Sequence, residues 1–146
     1  MSQKVKASMP QTEMKEIERS DGCFACDWNN PAGLGIRFYT DGQGAYGEYI
    51  PTEVYQGYKG IVHGGILAAL LDEVMAKALA AHGIDGVTAK LEVRFRKPVP
   101  TNSRLLLRGW IKSRRKTSFV VAGQILAEDR ETLVEAEGIF FKKMAG

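Results

Sequence analysis

The sequence predicts an α+β fold in which one antiparallel sheet packs on one long helix. Gly64 to His82 is a long Ala- and Leu-rich segment, strand-like patterning precedes it twice and follows it four times, and short turns join the strand-like runs. Short turns join antiparallel neighbours, and a sheet with one apolar face needs a second layer to cover it. With 146 residues, 45% of them hydrophobic and 25% charged, the chain has room for one core. Its composition is that of ordinary globular domains, which excludes disorder and fibrous repeats.

In chain order, residues 1–20 show no sustained period, and the apolar pair Met14 and Ile17 is too little to define a helix. A flexible or loosely docked N-terminal arm is therefore expected ahead of a single domain over 21–146. Leu34, Ile36 and Phe38 alternate with Gly35 and Arg37, Thr40-Asp41-Gly42 supplies a turn, and Ala45 to Ile50 completes a hairpin. Pro51 ends it, and a loop with Gly57 and Gly60 leads to the helix. Gly83 stands where helices commonly stop in a left-handed residue. Next, Ala89, Leu91, Val93 and Phe95 alternate with Lys90, Glu92, Arg94 and Arg96, a strand with one wet face closed by Pro98 and Pro100. Leu105, Leu107, Gly109 and Ile111 against Arg104, Arg108 and Lys112 give another. Phe119 to Ala127 is apolar in both phases, as in a central strand, and Thr132 to Phe141 follows the polar turn Glu128 to Glu131.

The net charge of +3 is unevenly spread: Leu91 to Lys116 holds nine basic residues and one acidic residue, Glu92. Such a stretch predicts an anionic partner, for which nucleic acid, a membrane surface and a phosphorylated cofactor all qualify. The uncharged run Ile61 to Leu71 is far short of the ~20 apolar residues of a membrane span. Met1 to Ser20 has no apolar core of a signal peptide, so a cytoplasmic location and no membrane association are expected.

The helix carries an anomaly, three charged residues in an otherwise apolar body. Glu73 and Lys77 are four apart in the favourable order and can pair on an exposed edge. Asp72 faces Ala68, Ala69, Met75 and Ala76, and an unpaired carboxylate there is either solvated at a helix edge or used. At the helix start, His63-Gly64-Gly65 removes side chains from the first turn, so orphan N–H groups there can meet a ligand; the glycines also suit simple capping or close packing. Cys23 and Cys26 are half of a tetrahedral metal site at most, and unless two chains pool their cysteines they read as reduced buried or turn thiols.

The run Gln56-Gly57-Tyr58-Lys59-Gly60-Ile61-Val62-His63-Gly64-Gly65, Asp72 seven residues later, and Phe95-Arg96-Lys97-Pro98 resemble the hotdog-fold acyl-CoA thioesterases, in particular the PaaI and THEM4-like branch. Cys23-Phe24-Ala25-Cys26 with Asn30-Pro31 and Gly33-Leu34 resembles the N-terminal segment of many bacterial members, with Asp27 where a glycine is usual. The resemblance spans roughly residues 23–142. It implies a hotdog fold, a long central helix wrapped by a five- or six-stranded antiparallel sheet, in a homodimer or homotetramer whose subunits join sheets across a two-fold axis. It implies hydrolysis of an acyl-CoA thioester, with no cofactor and no metal, coenzyme A being part of the substrate. Gly64 resembles the residue whose backbone N–H polarises the thioester carbonyl, with Gly65 beside it. Asp72 resembles the general base or nucleophile, Thr88 the hydroxyl that orients the attacking water, and His63 a positioning residue. Thr88 shares the strand phase of Lys90 and Glu92, so it is not expected to fill the core.

Coenzyme A carries a diphosphate and a 3'-phosphate, for which Arg94, Arg96, Lys97, Arg114, Arg115 and Lys116 are candidate contacts. The basic run lacks the stacked aromatics of single-strand binders and no basic helix suits a major groove, so no nucleic-acid partner is expected. A hotdog dehydratase or hydratase and a non-catalytic acyl-CoA-binding protein are the alternatives. Gly64 and Asp72 are eight residues apart, about 12 Å along a helix at ~1.5 Å per residue. If both act on one thioester, they must come from different subunits, with the site at the interface.

Overall fold

The computed structural model describes residues 13–144. Seven strands form one sheet: β1 (Lys15–Glu16), β2 (Phe38–Thr40), β3 (Ala45–Tyr49), β4 (Gly86–Phe95), β5 (Leu105–Arg114), β6 (Ser118–Leu126) and β7 (Thr132–Lys142). Their order is β1-β2-β3-β5-β6-β7-β4, and every neighbouring pair is antiparallel. Among the described residues one long helix, α1 (Gly64–Ala80), lies on one face of this sheet, with a 3-10 turn, Glu53–Tyr55, before it. This is the hotdog arrangement. Among the described residues the sheet has seven strands rather than five or six, because Lys15–Glu16 pairs with Thr40 and Tyr39 in a stretch with no alternation to announce it.

Helix α1 begins where His63, in extended conformation, caps Gly65, and it ends at Ala80; the turn that follows closes on Gly83, which takes φ +73. Its buried face, Leu67, Leu70, Leu71, Val74, Met75, Ala78 and Leu79, meets Leu105, Leu107, Phe119, Val121, Ile125, Val134 and Phe140. Each fully buried large aliphatic side chain contributes roughly 1.5–3 kcal/mol. The approach is close because the strands carry glycine beneath the helix. A Cβ on Gly109 would lie 2.7 Å from the Val74 carbonyl oxygen, and one on its cross-strand partner Gly123 would lie 2.9 Å from Met75.

The first hairpin is shorter than the alternation suggests. Leu34 and Ile36 are buried but precede the strand, held instead by backbone bonds to Phe24 and Ala25. Of the expected N-terminal arm, residues 1–12 lie outside the described residues. In its remainder, Ile17 is buried, the Glu18 carbonyl accepts a hydrogen bond from Lys77, and Arg19 stacks on Trp28, which also meets Arg37. Lys77 is only 5% exposed, so the expected Glu73–Lys77 surface pair is replaced by a buried lysine bonded to a carbonyl. A lysine stem can lie along apolar surface while its ammonium finds one polar partner.

Two features of β4 position the site. It is an edge of the sheet, ten residues long, with exposed Val87 and Phe95. It also contains a bulge. Thr88 pairs with Phe140 and Lys90 with Ile139, so Ala89 is the extra residue. An extra residue inverts the side-chain phase on either side of it. Leu91 and Val93 pack toward the core, and Thr88, opposite the fully buried Phe140, stands on the same, helix-facing side of the sheet. The phase inferred for Thr88 from Lys90 and Glu92 is corrected by this bulge, and Ala89 is not the first inward residue of the strand. No helix among the described residues is long and apolar enough to cross a membrane.

Candidate active site

Asp72 sits in the middle of α1, partly buried on the side that faces β4. The Thr88 hydroxyl donates to its Oδ1 at 2.5 Å. Two residues sixteen positions apart thus form one unit, and Thr88 fixes one oxygen of the carboxylate while leaving the other to accept a proton. The neighbours Ala68, Ala69 and Ala76 are all partly exposed, so the space beside Asp72 opens to the surface of the chain.

At the helix N-terminus the two glycines differ. His63 Nδ1 accepts the Gly65 N–H at 2.8 Å, which consumes that donor. Ile66 and Leu67 both donate to the His63 carbonyl. The Gly64 N–H has no acceptor among the described residues. An unpaired N–H in the first turn, at the positive end of the helix dipole, favours a developing negative charge on oxygen. The histidine ring is thereby committed to capping. The loop before it is tied by His63 N–H to the Tyr55 carbonyl and by packing of Gly57 against His63.

Gly64 and Asp72 are held a little over two turns apart on a single helix, about 12 Å. The ring of Phe95, 53% exposed, reaches to the Gly64 position, where an added Cβ would lie 3.6 Å from it. In the sequence Phe95 stands out as an alternating apolar residue and as the start of Phe95-Arg96-Lys97-Pro98; its place beside the free N–H comes from the antiparallel run of α1 against β4. Exposed apolar groups Val54, Tyr58 and Ile61 lie on the loop that leads into the helix.

The six basic residues form two groups at opposite ends of the sheet. Arg96 pairs with Glu135 at 2.6 Å and Lys97 with Glu131, while Arg94 is exposed nearby on β4. Arg114, Arg115 and Lys116 stand at the β5–β6 turn, where Arg114 pairs in register with Phe119 and Phe119 with Phe140. The Arg96 and Lys97 amides bond to Leu133, seven residues from Phe140 along β7, so the groups are roughly 23 Å apart at ~3.3 Å per residue. Within one chain they do not line one groove. Arg114 shares a cleft with Arg108, Lys112, Tyr46 and His82.

The cysteines add a feature outside this site. The Cys23 thiol donates to Glu73 Oε2 at 3.1 Å, and Cys26 is buried beside it. Burial, followed by the contact with Cys26, pushes the Cys23 thiol up to about 11, and Glu73 adds to the shift.

A family model described as Thioesterase superfamily matches residues 59–134, from the loop before the helix to β7. Mouse acyl-coenzyme A thioesterase THEM4 is 30% identical over 88 residues, 60% of this chain and 38% of that protein. The chain thus spans well under half the length of the curated relatives it matches. A crystal structure of a thioesterase superfamily protein superposes with TM-score 0.78 at 29% identity, covering 94% of this chain and 71% of the other. The E. coli PaaI protein from the phenylacetic acid degradation operon gives TM-score 0.71 at 22% identity, over 75% and 84% of the two chains.

Proposed function

The chain belongs to the Thioesterase superfamily, and from that premise we propose that it hydrolyses acyl-CoA thioesters in a homo-oligomer whose active site lies between subunits. The observation that carries the reading is the Thr88–Asp72 hydrogen bond, which aims a carboxylate from a helix otherwise buried in alanine and leucine toward the β4 edge. In the reaction a water oxygen attacks the thioester carbonyl carbon, and Asp72 takes the water proton through its free oxygen. The Gly64 N–H of the other subunit stabilises the oxyanion. Collapse releases the carboxylic acid and the coenzyme A thiolate, which recovers a proton. Thr88 and His63 hold the two reacting ends in place.

Distance and topology together support the two-subunit arrangement. The attacking atom must come within ~3 to 3.5 Å of the carbonyl carbon, and no aspartate spans 12 Å along its own helix. Strand β4 runs antiparallel to α1 and offers a long unpaired edge. Pairing two β4 edges across a two-fold axis places the Gly64 end of one subunit beside the Asp72 region of the other. The same operation brings Arg114, Arg115 and Lys116 of one subunit to the end that carries Arg94, Arg96 and Lys97 of the next, one basic surface for the coenzyme A phosphates. Phe95, Val54, Tyr58 and Ile61 offer an apolar wall for the acyl group. A cytoplasmic setting belongs to this reading, since it keeps the free thiols of Cys23 and Cys26 reduced.

The test is thiol release over a panel of short, medium, long and aromatic acyl-CoAs. Turnover on at least one supports the enzyme. Tight binding without turnover would instead support a non-catalytic acyl-CoA-binding protein. Conversion of enoyl- or 3-hydroxyacyl-CoA without thiol release would support a dehydratase or hydratase.

A further inference from the structure

Cys23 and Cys26 lack a second pair of ligands in the sequence, but the fold supplies a third donor from the helix. The two sulfurs and a carboxylate oxygen of Glu73 lie within 4.8 Å of one another, although Glu73 is fifty residues from Cys23. We propose that Cys23, Cys26 and Glu73 bind one zinc ion per chain, which joins the segment around Ser20–Leu34 to the helix that carries Asp72.

The geometry suits that ion. Tetrahedral zinc with Zn–S near 2.3 Å and Zn–O near 2.1 Å sets its ligand atoms about 3.5–3.8 Å apart. The three ligand atoms lie close to that spacing, all within 4.8 Å of one another and Cys23 Sγ 3.1 Å from Glu73 Oε2. Two thiolates and one carboxylate leave the fourth position to water, and the donor set favours a borderline-soft cation over calcium or magnesium.

The turn that presents the sulfurs is held from several directions. Asp27 N–H bonds to the Cys23 carbonyl, and the Asp27 carboxylate accepts from Gly22 N at 2.5 Å and Asn29 N at 2.9 Å. Phe24 and Ala25, between the two cysteines, accept from Leu34 and Ile36. A metal knuckle needs such fixed backbone, since outer-shell contacts set ligand orientation. Cys26 is 1% exposed, so the ion would be screened from solvent on one side. Two thiolates and a carboxylate around a dication carry one net negative charge. Lys77, one helical turn beyond Glu73 and buried without a carboxylate partner within ion-pair distance among the described residues, is a cation placed to balance it. This proposal does not depend on the thioesterase reading, because its readout is metal content.

Untagged full-length chain, kept reduced and stripped with a chelator, is titrated with zinc and, in parallel, with cobalt(II). The expected result is one equivalent bound per chain and a thiolate-to-cobalt charge-transfer band in the near ultraviolet. Cys23→Ser or Cys26→Ser should abolish the band, and Glu73→Gln should keep it while weakening zinc at least ~10-fold. Zinc should also raise the unfolding midpoint of the wild type and not that of Cys23→Ser. Wild-type chain that stays metal-free at micromolar zinc, or uptake undiminished in either serine variant, overturns the proposal. If Glu73→Gln binds as tightly as the wild type, the third ligand is wrong and the site as proposed fails.

Discussion

Thr88 reaches Asp72 because β4 gains one residue between them and the core: the bulge at Ala89 turns the Thr88 hydroxyl onto the helix, where it donates to Asp72 Oδ1 at 2.5 Å. Hydrogen bonds to charged groups are worth about 1.5–3 kcal/mol, or roughly 10- to 150-fold when the interaction matters in the transition state. Thr88→Val, which keeps shape and loses the donor, should lower kcat for acyl-CoA by about that factor. Thr88→Ser should remain within about threefold of wild type. Equal rates for the valine and serine variants in a steady-state thiol-release assay would remove Thr88 from the site.

Asp72→Asn retains an oxygen to accept from Thr88, so the fold should persist. Turnover should fall at least ~100-fold, the scale of a positioned general base. Circular dichroism and unfolding midpoint establish that the variant is folded, and near-normal turnover in that folded variant would mean that another group activates water.

Asp72→Asn and Gly64→Val should each be inactive in homo-oligomers. The Gly64 position tolerates a side chain sterically, since only the exposed Phe95 ring lies within 4 Å of an added Cβ. Mixed, unfolded and refolded together, the two variants should recover up to about a quarter of wild-type activity: half the dimers are hybrids, and each hybrid restores one of two sites. Absence of recovery while native mass spectrometry shows hybrids forming would place both residues on separate substrates or the site within one subunit.

Replacing Arg114, Arg115 and Lys116 together with alanine should raise KM for acyl-CoA, more at low ionic strength than at high, with kcat little changed. Arg96→Ala should raise it less, because Glu135 already engages that guanidinium. Acyl-pantetheine substrates, which lack the nucleotide, serve as the comparison; an equal KM change with both substrates would show that the three residues do not touch the phosphates.

Gly109→Ala should destabilise the chain by about 1–3 kcal/mol, since its Cβ would press on the Val74 carbonyl oxygen at 2.7 Å, a helix backbone atom with no flexible side chain to yield. At roughly 2–4 °C per kcal/mol for a chain of this size, the unfolding midpoint should fall by several degrees. An unchanged midpoint would mean that helix and sheet can separate locally without loss.

Local physics makes much of this protein legible in its chain alone. The long Ala- and Leu-rich run with Gly83 behind it specified α1, alternation specified the paired strands, and short turns made them antiparallel, because each signal depends on residues a few positions apart. The His63-Gly64-Gly65 and Asp72 spacing marked the candidate chemistry, and one turn of helix per 3.6 residues separated Gly64 from Asp72. Other decisions needed contacts between distant residues. No pattern announces an extra residue at Ala89, so the direction of Thr88 was decided by how β4 pairs with β7. Which glycine keeps a free N–H depended on where the His63 ring turns, and it turned to Gly65. Sequence spacing pairs Glu73 with Lys77, yet packing of the N-terminal segment buries the lysine and gives Glu73 to Cys23. Helical spacing fixes which side chains share a face, and only tertiary packing decides what covers that face.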